Sequence, residues 1–284
     1  MLRVRRRRAR DAEHGCAVHA ATHASLCSLF CSHEWGSPFN EADTPAYSFQ
    51  SYVSRYRSPA GSNATRLYYS LDYGLFHVLF LAGYCPEMRD WAAANPCLAP
   101  GSAQMAWLAA DLAAVNRSRT PWVLVLIHQP YYNSNHAHSM AVEGAPVQAA
   151  LEDAIQGADL IMTGHVHSYE RTARVYAGAC NGSAPAYITL GDGGNREGLA
   201  TNWTQPQPAW SMFRQASFGH GQLTALNATH LRWKWVQNPL LAPAVGDELW
   251  LVKGEPGACG PGETRQPQLA AGRARARADH ASAA

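Results

Sequence analysis

The feature that most constrains the fold of this 284-residue chain is a continuous apolar run, Trp122–Ile127, which ends at His128. A strand that is apolar on both sides fits a sheet covered on both faces. A helical stripe over Pro146–Ile155 follows, with Gly157 as its stop, and then a second short apolar strand at Leu160–Thr163. Strand, helix and strand with short joints predict a βαβ unit in which the two strands are parallel.

The second strand runs directly into a Gly-His-Val-His segment that contains His165 and His167. Because parallel strands end at the same edge of a sheet, we expect these two histidines and His128 to lie together there. Neutral imidazoles are favoured ligands of Zn, Fe and Mn ions. In an extended segment the rings of His165 and His167 would point the same way, so each could serve one of two adjacent ions. A single histidine at a strand end is more often an ordinary hydrogen-bonded residue, but three together favour a metal site.

Other patterns predict the elements around this unit. Leu67–Tyr73 and Phe76–Ala82 are typical of a β-hairpin, and Ser102–Asn116 has helical spacing with Ser102 as the N-cap. Three later β-type runs predict a second, largely antiparallel sheet: Ala186–Leu190, Gln222–Leu226 and Leu231–Val236.

The two ends of the chain differ from its middle. Residues 1–30 begin with an Arg-rich stretch, and residues 253–284 are rich in Gly, Pro, Ala and Arg, which predicts disordered tails around a folded body at 31–252. Ten arginines in these tails account for the formal net charge of +2, so the body is acidic and no specific nucleic-acid partner is expected. No apolar stretch reaches the roughly 18 residues of a membrane span. Oligomeric state cannot be read from these patterns.

Five Asn-x-Ser/Thr sequons indicate glycosylation and the secretory route. They begin at Asn63, Asn116, Asn181, Asn202 and Asn227. Seven cysteines leave at least one without an intramolecular partner. Cys85 and Cys97 bracket a short Pro-containing loop and predict a disulfide, with a pair of buried thiols as the alternative. No apolar signal segment follows Met1, so we expect that the true N-terminus is missing.

Five segments resemble, in the same order, segments of the plant-type purple acid phosphatases, which belong to the metallophosphoesterase superfamily. The segments are Leu67–Tyr73, Val125–Ser134, Gly164–Arg171, Ile188–Asn195 and Phe213–Gly221. A lone Gly-His-x-His motif would be weak evidence, whereas five ordered segments are specific. The resemblance implies an α/β fold, a metallophosphoesterase-like β-sandwich flanked by helices and built from βαββ units.

The resemblance also implies a chemistry. Enzymes of this family have a binuclear metal centre, Fe(III) with Zn, Mn or Fe(II), that hydrolyses phosphate monoesters at acid pH. They are secreted or vacuolar. By the family pattern His128 and His165 bind the divalent ion and His167 the ferric ion. Two ions neutralise phosphoryl oxygens and activate bound water, while a protonated histidine assists the leaving group. Counting along the loop assigns that acid to His138, with His136 as the neighbour that could be confused with it.

The pattern breaks near the start. The first two family blocks, which supply the two aspartates and the tyrosine that bind metal, are absent, and we expect the first half of the sandwich to be missing. The third block is degraded to Cys31–Glu34, with Ser32 in place of a ligating Asn and His33 aligned with a phosphate-contacting histidine. We therefore expect only partial metal binding, because Fe(III) prefers anionic oxygen ligands.

Two functions follow as hypotheses: an acid phosphatase whose sequence is incomplete, or a catalytically inactive secreted glycoprotein that retains the phosphatase scaffold. A different metallophosphoesterase, such as a phosphodiesterase, is disfavoured by the Tyr-Asn-Ser segment and by Phe213–Gly221.

Overall fold

The computed structural model describes residues 2–5, 16–20, 67–84, 95–194, 197–238, 243–255 and 257. The strands are β1 (Leu2–Arg5), β2 (Cys16–Ala20), β3 (Tyr69–Tyr73), β4 (Phe76–Phe80), β5 (Trp122–Leu126), β6 (Leu160–Thr163), β7 (Tyr169–Tyr176), β8 (Ala179–Cys180), β9 (Ala186–Leu190), β10 (Ser211–Gln215), β11 (Gly219–Ala225), β12 (His230–Gln237) and β13 (Ala244–Val252). The helices are α1 (Ala103–Ala114) and α2 (Ala145–Leu151), with a 3₁₀ turn at Pro96–Leu98 and a π-helical turn at Met140–Gly144.

The first sheet has the order β10-β7-β9-β6-β5-β4-β3, with β8 paired to β7. Its centre is parallel, because β4 pairs with β5, β5 with β6 and β6 with β9 in the parallel sense. The predicted hairpin is confirmed by the antiparallel pair β3 and β4, and the predicted parallel unit by β5 and β6.

Strand β5 is apolar throughout because both of its faces are covered. Leu124 and Leu126 lie in one buried cluster with residues of β11, β12 and β13, whereas Val123 and Val125 lie in another with residues of α1 and α2. Side chains of a strand alternate between faces, so this run needs apolar residues at every position. The first sheet is therefore the middle layer between a second sheet and the helices.

The helices largely follow the predictions. Ser102 caps α1, since its hydroxyl accepts a hydrogen bond from the Met105 N–H at 3.3 Å. The predicted helix to Ile155 ends instead at Leu151 and continues as a hydrogen-bonded turn, in which the Ile155 N–H still donates to the Leu151 carbonyl. Neither helix is long and apolar enough to cross a bilayer, within the part of the chain that the structure describes.

One strand was assigned to the wrong sheet. Ala186–Leu190 was predicted in the second, antiparallel sheet, but as β9 it lies in the first sheet, parallel to β6. All five of its residues are buried, which is the pattern of a strand covered on both faces. The second sheet has the order β1-β2-β11-β12-β13 and its pairs are antiparallel, as expected for β11 and β12. Sequence patterns missed β7, β10 and β13.

Within residues 1–30 the structure describes residues 2–5 and 16–20, where β1 and β2 pair with each other and β2 pairs with the edge of β11. The disorder predicted for residues 1–30 as a whole stays a prediction. Strand pairing uses backbone N–H and C=O groups, so an open sheet edge can pair with a segment whatever its side chains. The domain limits at residues 30 and 253 stay a prediction.

A buried ion pair joins the two sheets. Arg171 on β7 donates two hydrogen bonds to Asp247 on β13, from Nε at 2.6 Å and from Nη2 at 2.8 Å. The Tyr169 hydroxyl donates to the same carboxylate and accepts from the Trp233 indole N–H, each at 2.7–2.9 Å. Both side chains of the ion pair are about 5% exposed or less, so water solvates neither charge and each is compensated by the other.

We expect Asp247→Ala to lower the free energy of unfolding by about 3–5 kcal/mol, because it leaves Arg171 buried without its partner. The neighbouring Glu248→Ala is a matched control. Glu248 also binds an arginine, Arg232, through two hydrogen bonds, but that pair is about a third exposed and should contribute at most about 1 kcal/mol. Urea unfolding would test both variants, and equal effects would contradict the assignment of Asp247 as the tie between the sheets.

Candidate metal centre

The parallel strands β5 and β6 bring two of the three predicted histidines together. The Gly164 N–H donates to the His128 carbonyl at 3.0 Å, which continues the strand pairing to the edge of the sheet. His128 Nε2 and His165 Nδ1 lie 3.0 Å apart, and the ring centroids are 4.8 Å apart. Both residues are buried. Two ring nitrogens that face each other at this distance could share one cation.

The segment after β6 is a turn, and the extended conformation expected for it is wrong. His165 has a φ of 64°, in the left-handed region, and the Val166 N–H donates to the Gly164 carbonyl at 2.7 Å. This turn approaches Gly191 closely, where a Cβ would stand 1.9 Å from the Val166 carbonyl oxygen. The ring of His167 lies against Glu197, with its Nδ1 3.7 Å from Oε2.

His138 joins the site from the loop after β5. The Asn133 side-chain amide holds this loop, donating to the carbonyls of Asn135, Ala137 and His138 at 2.9–3.2 Å. His138 also has a positive φ, 54°, and its ring centroid is 3.6 Å from that of His165. His136, the alternative acid, is exposed, and its N–H donates to the Asn202 carbonyl. The geometry favours His138 over His136.

Glu143 is a site residue that sequence reasoning missed. It lies in the π-helical turn before α2, with Oε2 2.9 Å from His165 Nε2 and Oε1 3.1 Å from His138 Nδ1. The three side chains offer ligand atoms within 4.8 Å of one another. Burial by itself would raise the pKa of Glu143, but hydrogen bonds from His138 and His165 outweigh it and lower the pKa to about 2. In the sequence Glu143 is only a carboxylate five residues after His138, and this spacing does not distinguish it from other carboxylates.

The surroundings of His165 favour the neutral form of its imidazole. Burial lowers the pKa of His165, and the neighbouring His138 lowers it further, while Glu143 acts in the opposite direction. A neutral imidazole retains one lone pair, which is the form that binds a metal.

The Gly164–Arg171 segment also contains two charged residues that lie outside the site, Glu170 and Arg171. The buried Glu170 carboxylate accepts hydrogen bonds from the Ser134 N–H at 2.8 Å and from the Ser211 hydroxyl at 2.6 Å. Arg214 donates to the Ser134 hydroxyl at 2.9 Å. These contacts hold the start of the loop that carries His138, while Arg171 is used in the ion pair between the sheets.

The donor set of the described residues fits a divalent ion better than a ferric one. His128 and His165 offer two neighbouring ring nitrogens, 3.0 Å apart, and imidazole nitrogen is a ligand type that suits Zn(II) or a similar ion. Around His167 the carboxylate of Glu197 is an oxygen donor of the kind that Fe(III) prefers. His33, Cys31–Glu34, Asn63 and Cys85 lie outside the described residues, so the roles and the disulfide predicted for them remain predictions.

Comparisons with known proteins agree with this architecture. A family described as "Iron/zinc purple acid phosphatase-like protein C" matches residues 184–248. Purple acid phosphatase 18 of Arabidopsis thaliana is 45% identical over 208 residues, 72% of this chain and 44% of that protein. The Fe(3+)-Zn(2+) purple acid phosphatase 12 of the same plant is 36% identical over 217 residues, with the same two coverages. The solved purple acid phosphatase from seeds of yellow lupin (Lupinus luteus) has a TM-score of 0.61 at 25% identity, covering 72% of this chain and 36% of that one.

A partly parallel sheet between helices and a second sheet, with histidines at its strand ends, defines a metallophosphoesterase-type fold. Within that class, the matched residues of this chain are similar to the purple acid phosphatases, as the sequence resemblance predicted. The chain spans about half the length of the curated relatives it matches.

We expect Gly191→Ala to lower the free energy of unfolding by about 1–3 kcal/mol or more, because the new methyl group meets the Val166 backbone and must displace the His165 turn. Gly157→Ala is the control: nothing lies within 4 Å of a Cβ there, so the change should be below about 1 kcal/mol. Thermal unfolding of both variants is the measurement. A Gly191→Ala protein as stable as Gly157→Ala would show that the close approach is not required.

Proposed function

We propose that this chain is part of an acid phosphatase that hydrolyses phosphate monoesters at a binuclear metal centre. The observation that carries the proposal is the pair of facing nitrogens, His128 Nε2 and His165 Nδ1, 3.0 Å apart at the edge of the parallel sheet. The names of the relatives, purple acid phosphatases, support the same reaction class.

Each histidine has a proposed role. His128 and His165 hold the divalent ion, and His167 faces the ferric position beside Glu197. When bound, such a metal pair neutralises phosphoryl oxygens and supplies a hydroxide nucleophile. His138 donates a proton to the leaving alcohol. His33 would contact the phosphate.

The second candidate is a secreted glycoprotein that keeps the scaffold without catalysis. The observation that favours it is Ser32, which stands where the family pattern has a ligating Asn, since a hydroxyl is a poorer metal ligand than an amide oxygen. The two candidates differ in one measurable property. A phosphatase releases phosphate from a generic monoester at acid pH when Fe and Zn are supplied, and a scaffold folds but releases none.

We expect His128→Ala and His165→Ala to lower the zinc content of the purified full chain to near that of buffer, because each removes one of two facing donors. His230→Ala is the control, since His230 lies at the start of β12, in the second sheet. Metal analysis by plasma mass spectrometry, with p-nitrophenyl phosphate hydrolysis at acid pH, makes the measurement. If wild-type protein and both variants carry equal zinc, neither histidine is a ligand and the metal site proposed here is wrong.

We also propose glycosylation and a secretory or vacuolar location. The four sequon asparagines among the described residues, Asn116, Asn181, Asn202 and Asn227, are exposed. In three of these sequons the Asn side-chain oxygen accepts a hydrogen bond from the N–H two residues on, an Asx turn that leaves the segment at the surface.

Expression of the chain behind a secretory signal should give a protein whose mass falls on treatment with an N-glycan-removing amidase. Asn→Gln at each sequon in turn should remove one glycan where that site is used. A secreted protein with the mass of the bare polypeptide would contradict the glycosylation proposal.

A further inference from the structure

Glu143 contacts two imidazoles of the proposed site with one carboxylate. Its Oε2 lies 2.9 Å from His165 Nε2, and its Oε1 lies 3.1 Å from His138 Nδ1. An ionised carboxylate only accepts hydrogen bonds, so both ring nitrogens that face Glu143 carry hydrogen. Glu143 therefore determines which nitrogen of each ring remains to act elsewhere.

For His165 the remaining nitrogen is Nδ1, the atom that faces His128 Nε2 at 3.0 Å. A histidine that binds a metal needs a lone pair on the ligating nitrogen, and its other N–H commonly donates to a carboxylate that fixes the tautomer and the ring orientation. The contact with Glu143 is this arrangement. For His138 the remaining nitrogen is Nε2, which is then the atom available to a leaving group.

Backbone geometry gives an independent reason to connect these residues. Among the described residues, only three other than glycine have a positive φ, and His138 and His165 are two of them. Such conformations cost about 1–3 kcal/mol and persist where surrounding contacts hold them. The carboxylate of Glu143 contacts both strained residues, and it is held in turn by the π-helical turn, in which a Cβ at Gly144 would meet the Tyr131 backbone at 3.0 Å.

We propose that Glu143 is a positioning residue that acts through these two histidines: it selects the tautomer of His165 that presents Nδ1 to the divalent ion and the orientation of His138 that leaves Nε2 for the phosphoester. This inference rests on the proposed function for the identity of the ion and the ester. The hydrogen-bonding pattern itself does not depend on either.

The tautomer of His165 can be read directly from the full chain without metal by two-dimensional ¹⁵N–¹H imidazole NMR. The expected wild-type spectrum has hydrogen on Nε2 of His165 and on Nδ1 of His138. Glu143→Gln keeps the shape of the side chain but removes its charge and one acceptor, so His165 should become a mixture of tautomers. Glu255→Gln, an exposed carboxylate outside the site, should leave the spectrum unchanged.

Cobalt(II) titration of the same proteins, followed by visible absorption, is the second readout. Glu143→Gln should bind Co(II) about 10- to 100-fold more weakly than wild type, as for the loss of a carboxylate behind a metal-bound histidine. Glu255→Gln should bind as wild type does.

The inference is overturned if wild-type His165 carries its hydrogen on Nδ1, or if Glu143→Gln keeps both the single tautomer and the Co(II) affinity. If no protein binds Co(II), the proposed metal function fails, while the wild-type tautomer still decides the role of Glu143. The wild-type spectrum also decides it if Glu143→Gln does not fold.

Discussion

Parallel hydrogen bonding between β5 and β6 brings the ends of two buried strands to one edge of the sheet, and the positions of His128 and His165 follow from it. Each strand is held by apolar side chains on both faces, with the second sheet on one side and the helices on the other. Buried side chains pack closely on both faces of these strands, so a slip would disrupt that packing. The backbone register therefore places His128 beside the segment that carries His165.

The turn that carries His165 depends on packing far away in sequence. Gly191, at the end of β9, lets the Val166 carbonyl come close, and the left-handed φ of His165 accompanies that approach. On the other side, Asn133 and Glu170 hold the loop that carries His138. Close packing and hydrogen bonds thus hold the turn and the loop that carry His165 and His138, and such support is what keeps catalytic or metal-binding side chains in place.

The structure divides the resembling segments into residues of the site and residues of the scaffold. In Gly164–Arg171, His165 lies at the candidate centre, whereas Arg171 joins the two sheets through Asp247. A segment can therefore resemble the purple acid phosphatases for two separate physical reasons, chemistry and assembly of the sandwich. The described residues include residues of both kinds. The relatives match most of this chain, although the chain spans about half of their length.

The sequence by itself determined the local elements and the edge at which the site would lie, because hydrophobic periodicity and turn residues act over short distances. It predicted β5, β6 and their parallel order correctly. Only the tertiary structure decided that Ala186–Leu190 belongs to the first sheet, that the His165 turn is left-handed, and that Glu143 reaches two histidines. Each of these depends on contacts between residues 5 to 26 positions apart, and spacing along the chain carries no information about which backbone or carboxylate will approach.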